Sequence, residues 1–218
     1  MRKLLLDILP SVLGKKKHPV ECSPVTKQGQ FLLSDPKACK DCKRLYPARK
    51  ACDETVIAID ATTAIETFNF ESFISQWDNT QSQVDHRCDY LMWDEAVDGR
   101  KVVFCDLTCS IPIHVDPNPQ DKHQEGKRVF AYSQMQESLD VLLRIYVLDQ
   151  YLLTATKKVF LFGWRDPEVK MDTNDAAEQA MGDFFTNTAI YVVATFTQPK
   201  TYYGFDFVQV KYPAIYQW

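Results

Sequence analysis

Asp89 and Asp106 are the residues whose type and spacing best suit chemistry. They stand near the outer ends of RCDYLMWDEAVDGRKVVFCDLTCS (87–110), which reads as two strands joined by a turn at Asp98-Gly99, a pair that supplies the positive φ a tight hairpin favours. Residues two apart in a strand share a face, so Asp106 points with Val102, Phe104 and Thr108, and Asp89 points with Leu91 and Trp93. Antiparallel pairing about that turn can bring Asp89 near Asp106, whereas a longer or bulged loop would alter the register. Such a pair suits Mg²⁺ or Mn²⁺, hard cations held by one or two carboxylates with water and phosphate. The ion would acidify a bound water and stabilise charge on a phosphodiester. The plainer alternative is that each acid only ends a strand, Asp89 pairing with Arg87 and Asp106 capping a loop amide.

Positioning these acids requires a sheet and something to cover it. With 218 residues, 45% of them hydrophobic, the chain can bury a full core as one domain with a small appendage. The patterning predicts strands over 55–60 and 64–70, the hairpin strands 88–93 and 101–107, then a proline-broken loop. A long helix over 131–156 carries an apolar face broad enough to cover a sheet, and KVFLFGW (158–164) reads as a strand buried on both faces. A helix over 174–185 and the strands AIYVVATFT and FDFVQVKY complete the order. The expected class is α/β, a mixed central sheet flanked by helices over 56–218, preceded by an irregular Lys- and Cys-rich module over 1–55.

The opening residues MRKLLLDILPSVLGKKKHP have Asp7 and Pro10 inside the apolar run and three lysines after it, against a signal sequence. Leu4, Leu5, Ile8, Leu9, Val12 and Leu13 recur at helical spacing, giving an amphipathic arm that must dock on its own domain or on a partner. No stretch reaches the roughly 20 apolar residues of a membrane span, so a soluble chain with no membrane partner is expected. Seven cysteines without a secretory signal imply a reducing, cytoplasmic setting. A net charge of −4 gives no global basic footprint, so contact with DNA would need a local patch such as GKKKH or CKDCKRLYPARK, or a basic partner subunit.

Beyond spacing, the runs IETFNFESFI, RCDYLMWD, VVFCDLTCS and AYSQMQESL together resemble the PD-(D/E)xK nuclease-like (restriction-endonuclease-like) superfamily. Small bacterial members of it read as an acid in CDY, a hairpin, an E-L-K strand and a helix beginning A-x-x-Q-L. The resemblance implies a mixed sheet flanked by helices, Mg²⁺ held by two acids, and a lysine that positions or activates the attacking water. Carried over, Asp89 takes the first metal position, Asp106 the second, Gln134 matches the helix glutamine facing the site, and Glu66 is a looser further acid. Thr108 stands where the family has lysine, and a neutral hydroxyl cannot supply that charge. Lys101, Lys122 and Lys127 are the candidates to replace it from a neighbouring strand or the helix start.

The resemblance covers residues 64–164, under half the chain. It implies DNA processing in restriction, repair or defence against mobile DNA. Without the lysine, the same fold would instead serve as a noncatalytic binding or scaffold subunit, with a protein partner or as a homo-oligomer.

A third reading is a zinc-stapled adaptor on an unrelated α/β fold. Cys39-x2-Cys42, with Cys52 beyond and Cys22 and His18 upstream, could supply four zinc ligands from a loop with little core of its own. Cys88, Cys105 and Cys109 flank the acids and read as packing residues. His86 and His114 bracket the hairpin and read as loop histidines.

Overall fold

The computed structural model describes residues 1–13, 23–35, 55–75, 87–94, 100–118, 125–166 and 201–218. The candidate zinc ligands Cys22, Cys39, Cys42, Cys52 and His18 lie outside them, as do His86, Lys122, the Asp98-Gly99 turn, the expected helix over 174–185 and the strand AIYVVATFT.

The described strands form one eight-stranded mixed sheet. Its spine is β2 (Thr55–Asn69), rich in the β-branched Val, Ile and Thr that suit a pleated surface. This 15-residue strand joins the two strands expected over 55–60 and 64–70. β1 (Val25–Ser34) runs antiparallel along it, with an irregularity at Lys27–Gly29 where Gly29 takes φ 77°. The N-terminal segment expected to be irregular therefore contributes a full strand. Half of β1 alternates partly buried with exposed residues, and its polar VTKQGQ composition conceals it.

The other edge of β2 is shared. β8 (Ile215–Gln217) pairs in parallel with residues 58–60, and β3 (Tyr90–Trp93) pairs antiparallel with residues 66–69. β4 (Lys101–Cys109) continues the hairpin from β3; β5 (Lys157–Arg165) and β7 (Phe205–Lys211) follow in parallel, and β6 (Thr201–Tyr202) pairs back on β7.

Between the parallel strands β4 and β5 the chain crosses over through α3 (Gly126–Leu143) and α4 (Tyr146–Leu153). The single helix expected over 131–156 is thus two. Ile145 is extended, at φ −98° and ψ 104°, and buries its side chain in the core, so the apolar periodicity carries on although the helix stops. α3 also starts earlier than expected, at Gly126, whose φ is 73° and where an added Cβ would lie 2.5 Å from the carbonyl carbon of Asp116. Only glycine fits that start.

Strand alternation sorts the core into two layers. Toward α3 and α4 lie Leu91, Trp93, Val102, Phe104, Phe160, Phe162 and Phe205. Phe104 meets Phe160 and Phe205 edge-on at 5.8 and 5.4 Å, and Tyr132 of α3 meets Phe160 and Phe207 at 5.8 and 5.5 Å. Burying each such side chain contributes about 1.5–3 kcal/mol.

On the opposite face, Ile57 of β2 lies against Gly163 of β5, where a Cβ would come within 3.0 Å of it, and Tyr90 donates to the Ser34 carbonyl of β1 at 2.9 Å. The first half of β2 and the end of β1 therefore cover the sheet face that the helices leave open.

The N-terminal arm forms a π-helical turn (Leu4–Ile8) and α1 (Leu9–Val12), and it buries Leu5 and Leu9 in the helix-side core. Of the two expected dockings, the arm takes its own domain. Among the described residues no helix is long and apolar enough to cross a membrane.

Candidate functional site

The β3–β4 register sets Tyr90 opposite Cys105 and Trp93 opposite Val102, so Asp89, the residue before β3, lies at the end of the hairpin that carries Asp106, and both aspartates act on the Cys88 and Cys105 thiols. By alternation along β4, Asp106 shares the helix-side face with Val102 and Phe104. Both acids are nearly enclosed, Asp89 2% and Asp106 6% exposed. They lie toward the carboxyl ends of the parallel strands, since β4 runs from Lys101 to Cys109 beside β5.

Asp89 is held by its neighbours on both sides. Its Oδ2 accepts the Leu107 amide of β4 at 2.7 Å, just where β3 begins. Its carbonyl accepts the amides of Phe70 and Glu71 at 2.9 and 3.2 Å, the first turn of α2 (Phe70–Ser75). Asn69 caps that helix by accepting the Ser72 amide at 2.9 Å. Asp89 thus caps an amide of β4, and Arg87 makes an ion pair with a second buried acid.

That acid is Glu71, 7% exposed, whose carboxylate meets the Arg87 Nε at 2.6 Å. Arg87 also donates to Ser75 Oγ at 2.9 Å. From α3, Gln134 Nε2 donates to the Arg87 carbonyl at 3.0 Å, and Ser138 Oγ accepts the Cys88 amide at 2.8 Å while donating to the Gln134 carbonyl at 2.8 Å. Residues 87–89 are thus stitched to α2, α3 and β4 at once. Glu71 and Ser138 escaped the sequence reading, although the Asn69 cap and the acid in the first turn after a strand are a legible helix start.

Cys88 and Cys105 are fully buried. Burial, then the Ser138 contact in opposition and the Asp106, Asp89 and Glu71 charges, leaves the Cys88 thiol well above its ordinary pKa. Burial and the same two aspartates push the Cys105 thiol up as well. Both remain neutral, poor nucleophiles and poor metal ligands, and their packing role fits the alternation that sets Cys105 on the face opposite Asp106.

The other sequence-selected residues divide. Thr108 shares the face of Asp106, two residues farther along β4, and lies beside Trp164 of β5. Lys101 does not join them. It lies at the other end of β4, five residues and about 16 Å away, and by parity on the other face, with Val103 and Cys105. Its ammonium lies over the Tyr216 and Trp218 rings at 4.6 and 4.8 Å. Lys127 is exposed on the first turn of α3, and His114 ends a short 3₁₀ turn after β4. Glu66 accepts from Thr26 at 2.7 Å and pairs with Arg2 at 3.3 Å, opposite Trp93, so it sits at the far end of β3 from Asp89.

Two carboxylates buried side by side repel each other, and a cation between them would relieve that repulsion. Among the described residues no three Asp, Glu, His or Cys side chains gather closely enough to hold a metal ion. No family model matches the chain, and no curated protein or solved structure matches it either.

Proposed function

We propose that the chain is a PD-(D/E)xK-like domain that acts on DNA phosphodiesters, with Asp89 and Asp106 as the residues that would hold Mg²⁺ or Mn²⁺. One observation carries this reading: two nearly buried aspartates, both close enough to act on the Cys88 and Cys105 thiols, lie at one end of the β3–β4 hairpin, toward the carboxyl ends of parallel strands, where open α/β sheets bind their ligands. When bound, such an ion supplies an acidified water and neutralises phosphate charge. The chain's own residues do the positioning. The Leu107 amide fixes the Asp89 carboxylate, and Gln134 holds the Arg87 carbonyl and so the approach of the segment leading into Asp89. The Thr108 hydroxyl can hydrogen-bond a water or a phosphate oxygen but cannot carry its charge.

The position of Lys101 favours a second reading, in which the fold is a noncatalytic binding or scaffold subunit. The lysine of the Asp106 strand itself is committed to an aromatic clasp on the far face.

The deciding experiment incubates the purified chain with Mg²⁺ or Mn²⁺ and single- or double-stranded DNA. The catalytic reading requires cleavage that Asp89→Asn and Asp106→Asn both abolish while the melting temperature holds. Cleavage surviving both substitutions overturns the assignment of these residues. A wild type that binds DNA without cutting it supports the noncatalytic reading, and regained cleavage in Thr108→Lys would then identify the missing ammonium as the cause.

A further inference from the structure

The helix-side face carries residues in rows across the strands, because paired residues of neighbouring strands point the same way. One row runs from Asp106 through Phe162 to Gln209. The next row toward the carboxyl ends runs from Thr108 through Trp164 to Lys211. Lys211 therefore shares both the face and the end of the sheet with Asp106, two strand spacings, or about 10 Å, from Thr108. Its ammonium lies over the Trp164 ring at 4.6 Å, and Trp164 stands between it and Thr108, so the side chain reaches inward across β5. The ring is fixed in turn: Trp164 Nε1 donates to the Ser110 carbonyl at 2.8 Å, and its own carbonyl accepts the Tyr212 amide at 2.8 Å.

The neighbouring cations are engaged. Arg87 is paired with Glu71, and Arg128, at the start of α3, with Asp116 at 2.7 Å. Among the described residues the ammonium of Lys211 has the ring face as its neighbour, and the side chain is exposed. A ring face holds an exposed cation weakly compared with an anion, so an arriving phosphate can draw it off without breaking an ion pair.

We propose that Lys211 supplies, to a DNA phosphate bound at the Asp89–Asp106 end of the sheet, the positive charge that Thr108 does not. The inference rests on the proposed function and names its phosphate-binding cation, which arrives from β7, two strands away from Thr108.

The test uses the full chain and a fluorescein-labelled DNA duplex, with cleavage followed in Mg²⁺ and binding by anisotropy in Ca²⁺. Lys211→Ala should lower cleavage by about 100-fold, the scale of losing one donor to a developing charge. It should also weaken binding and flatten the salt dependence by about one counterion. Lys211→Arg should keep most of both, and adding Thr108→Lys to Lys211→Ala should restore them, because charge returns to the same row while position 211 stays empty.

Cleavage and binding equal to wild type in Lys211→Ala overturn the inference and leave the proposed function standing. A loss that neither Lys211→Arg nor the Thr108→Lys combination restores overturns it too, by making Lys211 a structural residue. If wild type binds without cutting, the binding arm alone decides. A wild type that neither cuts nor binds overturns both readings together.

Discussion

The two ends of β4 bury charge in opposite ways. At the carboxyl end, Asp106 and Asp89 are nearly enclosed, the Leu107 amide donates to Asp89, and the Arg87–Glu71 pair holds the segment that leads into it. At the amino end, Lys101 is also 7% exposed, but its ammonium is enclosed by Tyr216 and Trp218 on the other face. Asp94 accepts the Lys101 amide at 3.0 Å and the Trp218 indole N–H at 3.1 Å, tying β8 to the hairpin. The amino end is a closed clasp whose charge is spent on the fold. At the carboxyl end the bonds made by Asp89, Gln134 and Ser138 hold the backbone of residues 87–89 in place.

This contrast breaks first at Asp89. Asp89→Ala leaves the buried Leu107 amide without its acceptor and should cost about 2–3 kcal/mol, whereas Asp106→Asn, which keeps an oxygen and the volume of the side chain, should stay within about 1 kcal/mol. Chemical denaturation of both variants without divalent metal measures the difference. Equal losses would mean that both acids serve the fold alike.

A smaller effect distinguishes the clasp. Burial, with Lys157 adding to it and Asp94 opposing, lowers the Lys101 pKa from 10.5 to about 8. Below pH 8 the ammonium is charged in both folded and unfolded chains and the full cost of enclosing it is present. Between about 8 and 10.5 the folded chain releases its proton first, so stability rises with pH, and above that range the cost is gone. Thermal melts of wild type against Lys101→Met should therefore show wild type gaining on the variant from pH 8 to pH 10.5. A constant gap across that range would contradict the enclosed ammonium.

The smallest effect belongs to Lys211. Its contact with Trp164 is exposed, so Lys211→Ala should change stability by about 0.5–1 kcal/mol or less, measured in the same denaturation series. A larger loss would place Lys211 with the structural residues of the clasp.

The strands of the hairpin and the face of Asp106 were legible because a period of two holds along β4, where Asp106 follows Phe104, whereas Asp89 lies just before β3, where Cys88 and Leu91 pack in one layer and the alternation breaks. The same parity places the odd-numbered Lys101 on the far face and so separates it from Asp106 before any distance is measured. β1 was not legible, since VTKQGQ lies half in water and lacks an apolar stripe. The break at Ile145 was hidden because a buried apolar residue continues the pattern while its backbone leaves the helix. Within the site, CDY and CDLT mark the acids, but the Arg87–Glu71 pair joins residues sixteen apart in sequence across α2, which no local pattern encodes. Lys211 appears only once β4, β5 and β7 are in register.

Manganese binding followed by electron paramagnetic resonance tests most directly whether the Asp89–Asp106 end is a divalent-cation site. The purified chain should take up about one Mn²⁺ at the carboxylate pair, and Asp106→Asn should lose it while remaining folded. Undiminished binding in Asp106→Asn, or none in wild type, would contradict the site.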